Sequence, residues 1–124
     1  MFGPIRIRSH MLPKPYRLTK KKDFDRVYRQ GRSFFVREMG IKFARNGLEV
    51  SRFGFVVSLK VSKNAVDRNL AKRRMREAVR GFLPGMKGGF DCAVLTRPEV
   101  KNLKYGEIED RLRFILKKTG LLTK

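Results

Sequence analysis

The chain has no tryptophan, one cysteine and one histidine in 124 residues. A single thiol, Cys92, forms no internal disulfide, so nothing points to an oxidising compartment. His10 lies in a proline-containing leader, far along the chain from Cys92. A His/Cys zinc site, a Cys–His nucleophile pair and a Ser–His–Asp triad therefore each lack a part. No stretch approaches the ~20 apolar residues of a membrane-spanning helix, and the start, MFGPIRIRSH, has no apolar signal core. A cytoplasmic protein is the expectation. Acids are scarce as well. The one remaining route to protein-borne catalysis is a carboxylate cluster binding Mg²⁺, and only Glu107, Glu109 and Asp110 lie close together. They open a predicted helix, where acids suit the dipole without any metal.

What the chain has in excess is positive charge: 31 Lys and Arg against 11 Asp and Glu, a net +20. The length fits one domain, and an apolar fraction of 41% is enough for one core. Such a charge repels itself unless a polyanion neutralises it. Nucleic acid is the first candidate, an anionic membrane surface the second. The charge is densest over residues 60–80, where eight basic side chains face only Asp67 and Glu77.

Residues 1–16 contain Pro4, Pro13 and Pro15 and no acid, which predicts an extended basic arm ahead of a single α+β domain over 17–124. A first helix is predicted over Lys21–Gln30, with Thr19 as N-cap and Gly31 as the stop. Phe24, Val27 and Tyr28 share one face of it. Such a face either packs on a sheet or offers rings on which unpaired bases stack. Strands are predicted over Ser33–Val36, Met39–Arg45 and Phe53–Leu59, the last two joined as a long hairpin through Asn46-Gly47. Alternation puts Met39, Ile41, Phe43, Phe53, Phe55, Val57 and Leu59 on a greasy face. Gly40, Lys42, Ala44, Gly54, Val56 and Ser58 fall on the other, an uncovered trough with a positive rim. A fourth strand, Phe90–Thr96, is apolar on both faces and reads as interior. A last helix spans Tyr105–Thr119, with Gly120 beyond it.

The sharpest element is the helix predicted over Asn64–Leu83. Ala71, Met75, Ala78, Val79 and Phe82 form one stripe, and Arg68, Asn69, Lys72, Arg73, Arg76 and Arg80 an adjoining one. Arg68, Lys72, Arg76 and Arg80 make an uninterrupted like-charge ladder at i+4 spacing, about 18 Å long. A merely solvated face would intersperse acids to relieve that repulsion. Arginine grips phosphate bidentately, so the ladder points to a polyanion. A membrane-surface or calmodulin-target helix would need bulky exposed anchors, and the apolar stripe here includes two alanines. No helix-turn-helix or zinc pattern argues for duplex DNA.

NAVDRNLAKRRMREAVR, residues 64–80, resembles the signature helix of the bacterial ribonuclease P protein subunit, R-N-R-x-K-R-x-x-R-E. Arg68, Asn69, Lys72, Arg73, Arg76 and Glu77 match, and Leu70 stands where Arg is usual. RLTKKKDFDRVYRQG, FGFVVSLK, FDCAVLTRP and YGEIEDRLRFILKKTGLL resemble further family segments in order, covering roughly residues 16–122. The resemblance implies a four-stranded sheet packed with helices in the order αβββαβα. It also implies a left-handed β-α-β crossover, as in ribosomal protein S5 domain 2, against the usual right-handed rule. It implies a protein that is inactive alone and assists a catalytic RNA, which with Mg²⁺ held by the RNA removes the 5′ leader of precursor tRNA. No protein-bound cofactor is implied. The partners would be ribonuclease P RNA and precursor tRNA, with one protein monomer per RNA and no membrane. Lys60, Lys63, Arg68, Asn69, Lys72, Arg73, Arg76 and Arg80 would contact the catalytic RNA. Phe24, Tyr28, Lys42 and Ser58 would line the leader cleft, Lys42 standing where relatives often carry an aromatic. A structural RNA-binding protein of ribosomal type is the alternative that composition alone allows, and a carboxylate nuclease the third.

Overall fold

The structure, a computed structural model, describes residues 12–123. Three α-helices and four strands are present among them: α1 (Lys21–Gln30), β1 (Arg32–Phe35), β2 (Met39–Arg45), β3 (Arg52–Val56), α2 (Ala65–Phe82), β4 (Phe90–Thr96) and α3 (Tyr105–Lys118). The order is the αβββαβα expected. The strands form one sheet, β1-β2-β4-β3, with β3 parallel to β4 and the other pairs antiparallel. β3 reaches β4 through α2, so these two make a β-α-β unit.

This order corrects the expected β2–β3 hairpin. Asn46 and Gly47 do turn the chain, Gly47 at φ +74°, but the slot beside β2 is taken by β4. Cys92, Ala93 and Val94 are buried on both faces, which only a central strand achieves. β3 is left at the edge and ends at Val56 rather than Leu59. Its neighbour β4 stops at Arg97-Pro98, and the Thr96 hydroxyl donates to the Val56 carbonyl at the end of the pairing. The chain then turns, the Val61 amide bonding the Ser58 carbonyl at 3.0 Å. Leu59 is 66% exposed.

The sheet has a large apolar face and a small-residue face. Met39, Ile41, Phe43, Phe53, Cys92 and Val94 are buried with Met75 and Val79 of α2 and with Leu112, Ile115 and Leu116 of α3. Burying one such side chain contributes about 1.5–3 kcal/mol, so this face dominates the core. On the opposite face Ala93 is buried with Leu18 and Val27, and Phe24 and Ala44 pack on that cluster. Helix α1 therefore covers part of the trough that alternation left open. The sheet lies between α1 on one side and α2 with α3 on the other.

Local signals account for the helix ends. Asn64 caps α2, its side-chain oxygen accepting from the Val66 amide at 2.9 Å. Thr19 does not cap α1: Lys20 holds that position without a side-chain bond, its carbonyl accepting from the Asp23 and Phe24 amides. The Glu107 side chain accepts from the Lys104 amide at the start of α3, while Glu109 and Asp110 both pair with Arg113. The three carboxylates singled out for a metal are thus each engaged within α3. Of the basic arm, residues 1–11 lie outside the described residues. Leu12 is buried in the core and Lys14–Tyr16 form a 3-10 turn.

Candidate nucleic-acid interface

Helix α2 separates its two stripes as expected. Met75, Ala78 and Val79 are buried, with Ala71 and Phe82 packed against the core. Asn69 and Arg73 are exposed, and Arg68, Lys72, Arg76 and Arg80 are half-buried along the flank. Arg68 donates one guanidinium bond to the Ser62 carbonyl at 2.8 Å, tying the helix to the loop that holds Lys60 and Lys63. Both lysines are exposed in that loop. Leu70 lies apart from the basic stripe, in a groove shared with Val100, Leu103 and Ile108.

The aromatic wall is built by a close approach. Gly54, Ala93 and Lys42 lie side by side across β3, β4 and β2 on the α1 face. The Phe24 ring lies on Gly54 so closely that a Cβ there would collide with it. One turn on, Tyr28 stands 6.2 Å from Phe24 between ring centroids, and the Lys42 ammonium sits 5.8 Å from the Tyr28 ring. Phe24, Tyr28 and Lys42 are therefore brought together. Burial and the Asp25 charge raise the Tyr28 phenol above its ordinary value, so it is a neutral hydroxyl at physiological pH. Ser58 follows the end of β3, where its hydroxyl accepts from the Lys60 amide.

Two features of this face were not visible in the sequence. The Phe35 ring lies over Gly40, the β2 residue opposite it, and the Arg97 guanidinium stacks 4.7 Å from that ring. The register of β1 against β2 decides this, and no turn motif announces it. A groove of about 530 Å³ is also lined by Arg17, Leu18, Thr19, Phe24, Gly54 and Arg76. There the basic stripe of α2 meets the aromatic wall of α1, two features some fifty residues apart in the chain.

The orientation of α1 is fixed from its other flank. Arg26 donates to the Arg45 carbonyl and to Asp91, which is fully buried at the start of β4. Arg52 and Asn46 also donate to Asp91. Burial works against the Asp91 charge, but these hydrogen bonds and the Arg52 charge outweigh it and hold its carboxyl below the ordinary value. Cys92, next along, is buried, which pushes its thiol up and leaves it unreactive. Among the described residues no group of His, Cys, Asp and Glu is arranged to hold a metal ion.

The sequence and the fold are similar to those of known proteins. The family model for ribonuclease P matches residues 12–120. The ribonuclease P protein component of Cyanothece sp. is 34% identical over 128 residues, covering 90% of this chain and 98% of the relative. That of Dehalococcoides mccartyi is 37% identical over 108 residues, covering 87% and 88%. The solved RNase P protein of Staphylococcus aureus aligns with a TM-score of 0.81 at 30% identity, covering 86% of this chain and 97% of that one.

Proposed function

The chain belongs to the ribonuclease P protein family, and from that premise we propose that it is the RNA-binding, non-catalytic subunit of a ribonucleoprotein that removes the 5′ leader of precursor tRNA. RNA is its partner class and tRNA processing its setting. The basic stripe of α2, with Lys60 and Lys63 before it, holds the catalytic RNA. The wall of Phe24, Tyr28 and Lys42 holds the single-stranded leader, whose bases offer π faces whatever their sequence. Mg²⁺ belongs to the RNA, one protein monomer joins one RNA, and the particle works in the cytoplasm.

One observation carries this reading. Arg76 of the basic helix and Phe24 of the aromatic helix line a single groove. A phosphate-gripping surface continuous with a base-stacking surface suits a protein that holds a folded RNA and a loose strand at once. A ribosomal-type structural protein has no use for the second surface.

The test incubates precursor tRNA and Mg²⁺ with the protein alone, with a ribonuclease P RNA alone, and with both. Leader removal is expected from the RNA, strengthened by the protein at low Mg²⁺, and absent from the protein by itself. Cleavage by the protein alone makes it a nuclease in its own right. No gain on adding it to the RNA favours the structural alternative.

A further inference from the structure

A second cationic pocket lies away from both surfaces described above. It is about 390 Å³ and is lined by Arg32 at the start of β1, Arg45 at the end of β2, Lys87 before β4, and the end of α3. Its lining includes no residue of α2 and none of Phe24, Tyr28 or Lys42. Phe43 and Phe90 supply an apolar floor, their rings edge to face at 5.9 Å, and the Arg45 guanidinium lies 5.4 Å from the Phe90 ring.

The charge here is uncompensated. Arg26 on α1 and Arg52 on β3 share two carboxylates, Asp91 and Asp23. Among the described residues no carboxylate pairs with Arg32, Arg45 or Lys87. The three side chains are exposed, so the protein leaves them for an outside anion. The carbonyls at the end of α3 do not spoil the site for one. The Thr119 hydroxyl donates to Ile115 and Leu116, and the Gly120 amide to Lys117. Lys117 and Lys118 in the last turn further offset the helix dipole.

We infer that this pocket is a second RNA contact, in which Arg32, Arg45 and Lys87 hold backbone phosphate and the partly exposed Phe90 ring, backed by the buried Phe43, receives a base or ribose from a single strand. Arginine beside an aromatic floor suits a nucleotide, where an acidic peptide would need only the charges. The inference rests on the proposed RNA-binding role and adds a site to it. The strand comes from either the catalytic RNA or the distal part of a long leader.

The experiment uses the full chain with Arg32→Gln, Arg45→Gln and Lys87→Gln combined, which keeps the aliphatic stems, beside a control with Arg68, Lys72 and Arg76 changed to Ala. Binding is measured across a salt series against ribonuclease P RNA and against precursor tRNAs with short and long leaders. The pocket variant is expected to flatten the log–log salt slope by up to about two units, at ~0.7 per phosphate contact on a single strand. A loss on the RNA alone assigns the pocket to that RNA, and a loss confined to the long leader assigns it to the leader. An unchanged slope on every ligand while the α2 control flattens overturns the inference and leaves the proposed function standing. Unchanged slopes for both variants overturn the proposed function as well. Lys87→Gln alone, on a side chain outside the core, repeats the measurement if the triple variant folds poorly.

Discussion

Arg52 and Asp91 stand opposite each other on the parallel strands β3 and β4, joined by two hydrogen bonds, Nε to Oδ1 at 2.8 Å and a terminal nitrogen to Oδ2 at 2.7 Å. With Arg26 on the same carboxylate, this pair links the edge strand, the central strand and α1. Removing the charge leaves two guanidinium groups on one remaining carboxylate, Asp23, with a buried amide in place of the other. Asp91→Asn is therefore expected to cost about 3–5 kcal/mol at neutral pH, read by urea unfolding. Because the carboxyl is depressed in the folded state, its contribution is complete above the ordinary value of about 3.9 and fades as pH falls through the lower folded value. The gap between wild type and variant should narrow only below about pH 4. A gap that closes already between pH 7 and 5 would mean that Asp91 is not the titrating group.

Gly54 is needed for space, not for backbone freedom. Any side chain there meets the Phe24 ring and the Leu18 carbonyl. Gly54→Ala should destabilise by about 1–3 kcal/mol through overpacking and lift Phe24 away from the sheet. Melting temperature and affinity for leader-bearing tRNA should fall together. A variant with wild-type values for both would show that α1 does not sit on β3 as described.

Much of this was legible because local and long-range demands agree. The two stripes of α2 and the double-sided apolarity of β4 each follow from the order of residues along one element. The Phe24–Tyr28–Lys42 group was partly legible, since i+4 spacing on a helix and alternation on a strand place each side chain on its face. What could not be read is which strand fills which slot. Asn46-Gly47 makes a good turn whether β3 pairs with β2 or leaves a gap for β4, and only the later strand, apolar on both faces from Cys92 to Leu95, decides. The same ambiguity hid the Phe35–Arg97 stack and the end of β3, which stops at Val56 where its neighbour does.

The α2 side chains should divide by their contacts. Combined Arg68→Ala, Lys72→Ala and Arg76→Ala is expected to flatten the salt dependence of binding to ribonuclease P RNA by up to about two to three units. Arg68→Ala alone also frees the Ser62 carbonyl and should cost about 0.5–1.5 kcal/mol of stability. Arg73→Ala, exposed on the same stripe, should change binding and leave the unfolding midpoint alone. Salt slopes that stay at the wild-type value would separate α2 from phosphate.

Tyr28 is the cleaner probe of the aromatic wall, because Phe24 serves the core as well. Phe24 packs on the Leu18, Val27 and Ala93 cluster, so Phe24→Ala should lose up to about 3 kcal/mol of stability along with leader affinity. Tyr28 is 41% exposed and touches the cluster through Phe24. Tyr28→Ala should leave folding nearly intact and weaken leader-bearing tRNA by about 1–3 kcal/mol, the value of one lost stack. Mature tRNA should bind as before. Tyr28→Phe keeps the ring and should keep the affinity, and since the phenol is raised above its ordinary 10.0, the wild type should show no titration of leader binding between pH 6 and 9 from this residue. Lys42→Ala, with its ammonium beside the same ring, should reduce the salt slope for the leader by about 0.7, the single-strand value for one phosphate. Equal losses on mature and leader-bearing tRNA would place Tyr28 against the body of the tRNA, and the leader would then have to run over the Phe35–Arg97 side of the sheet.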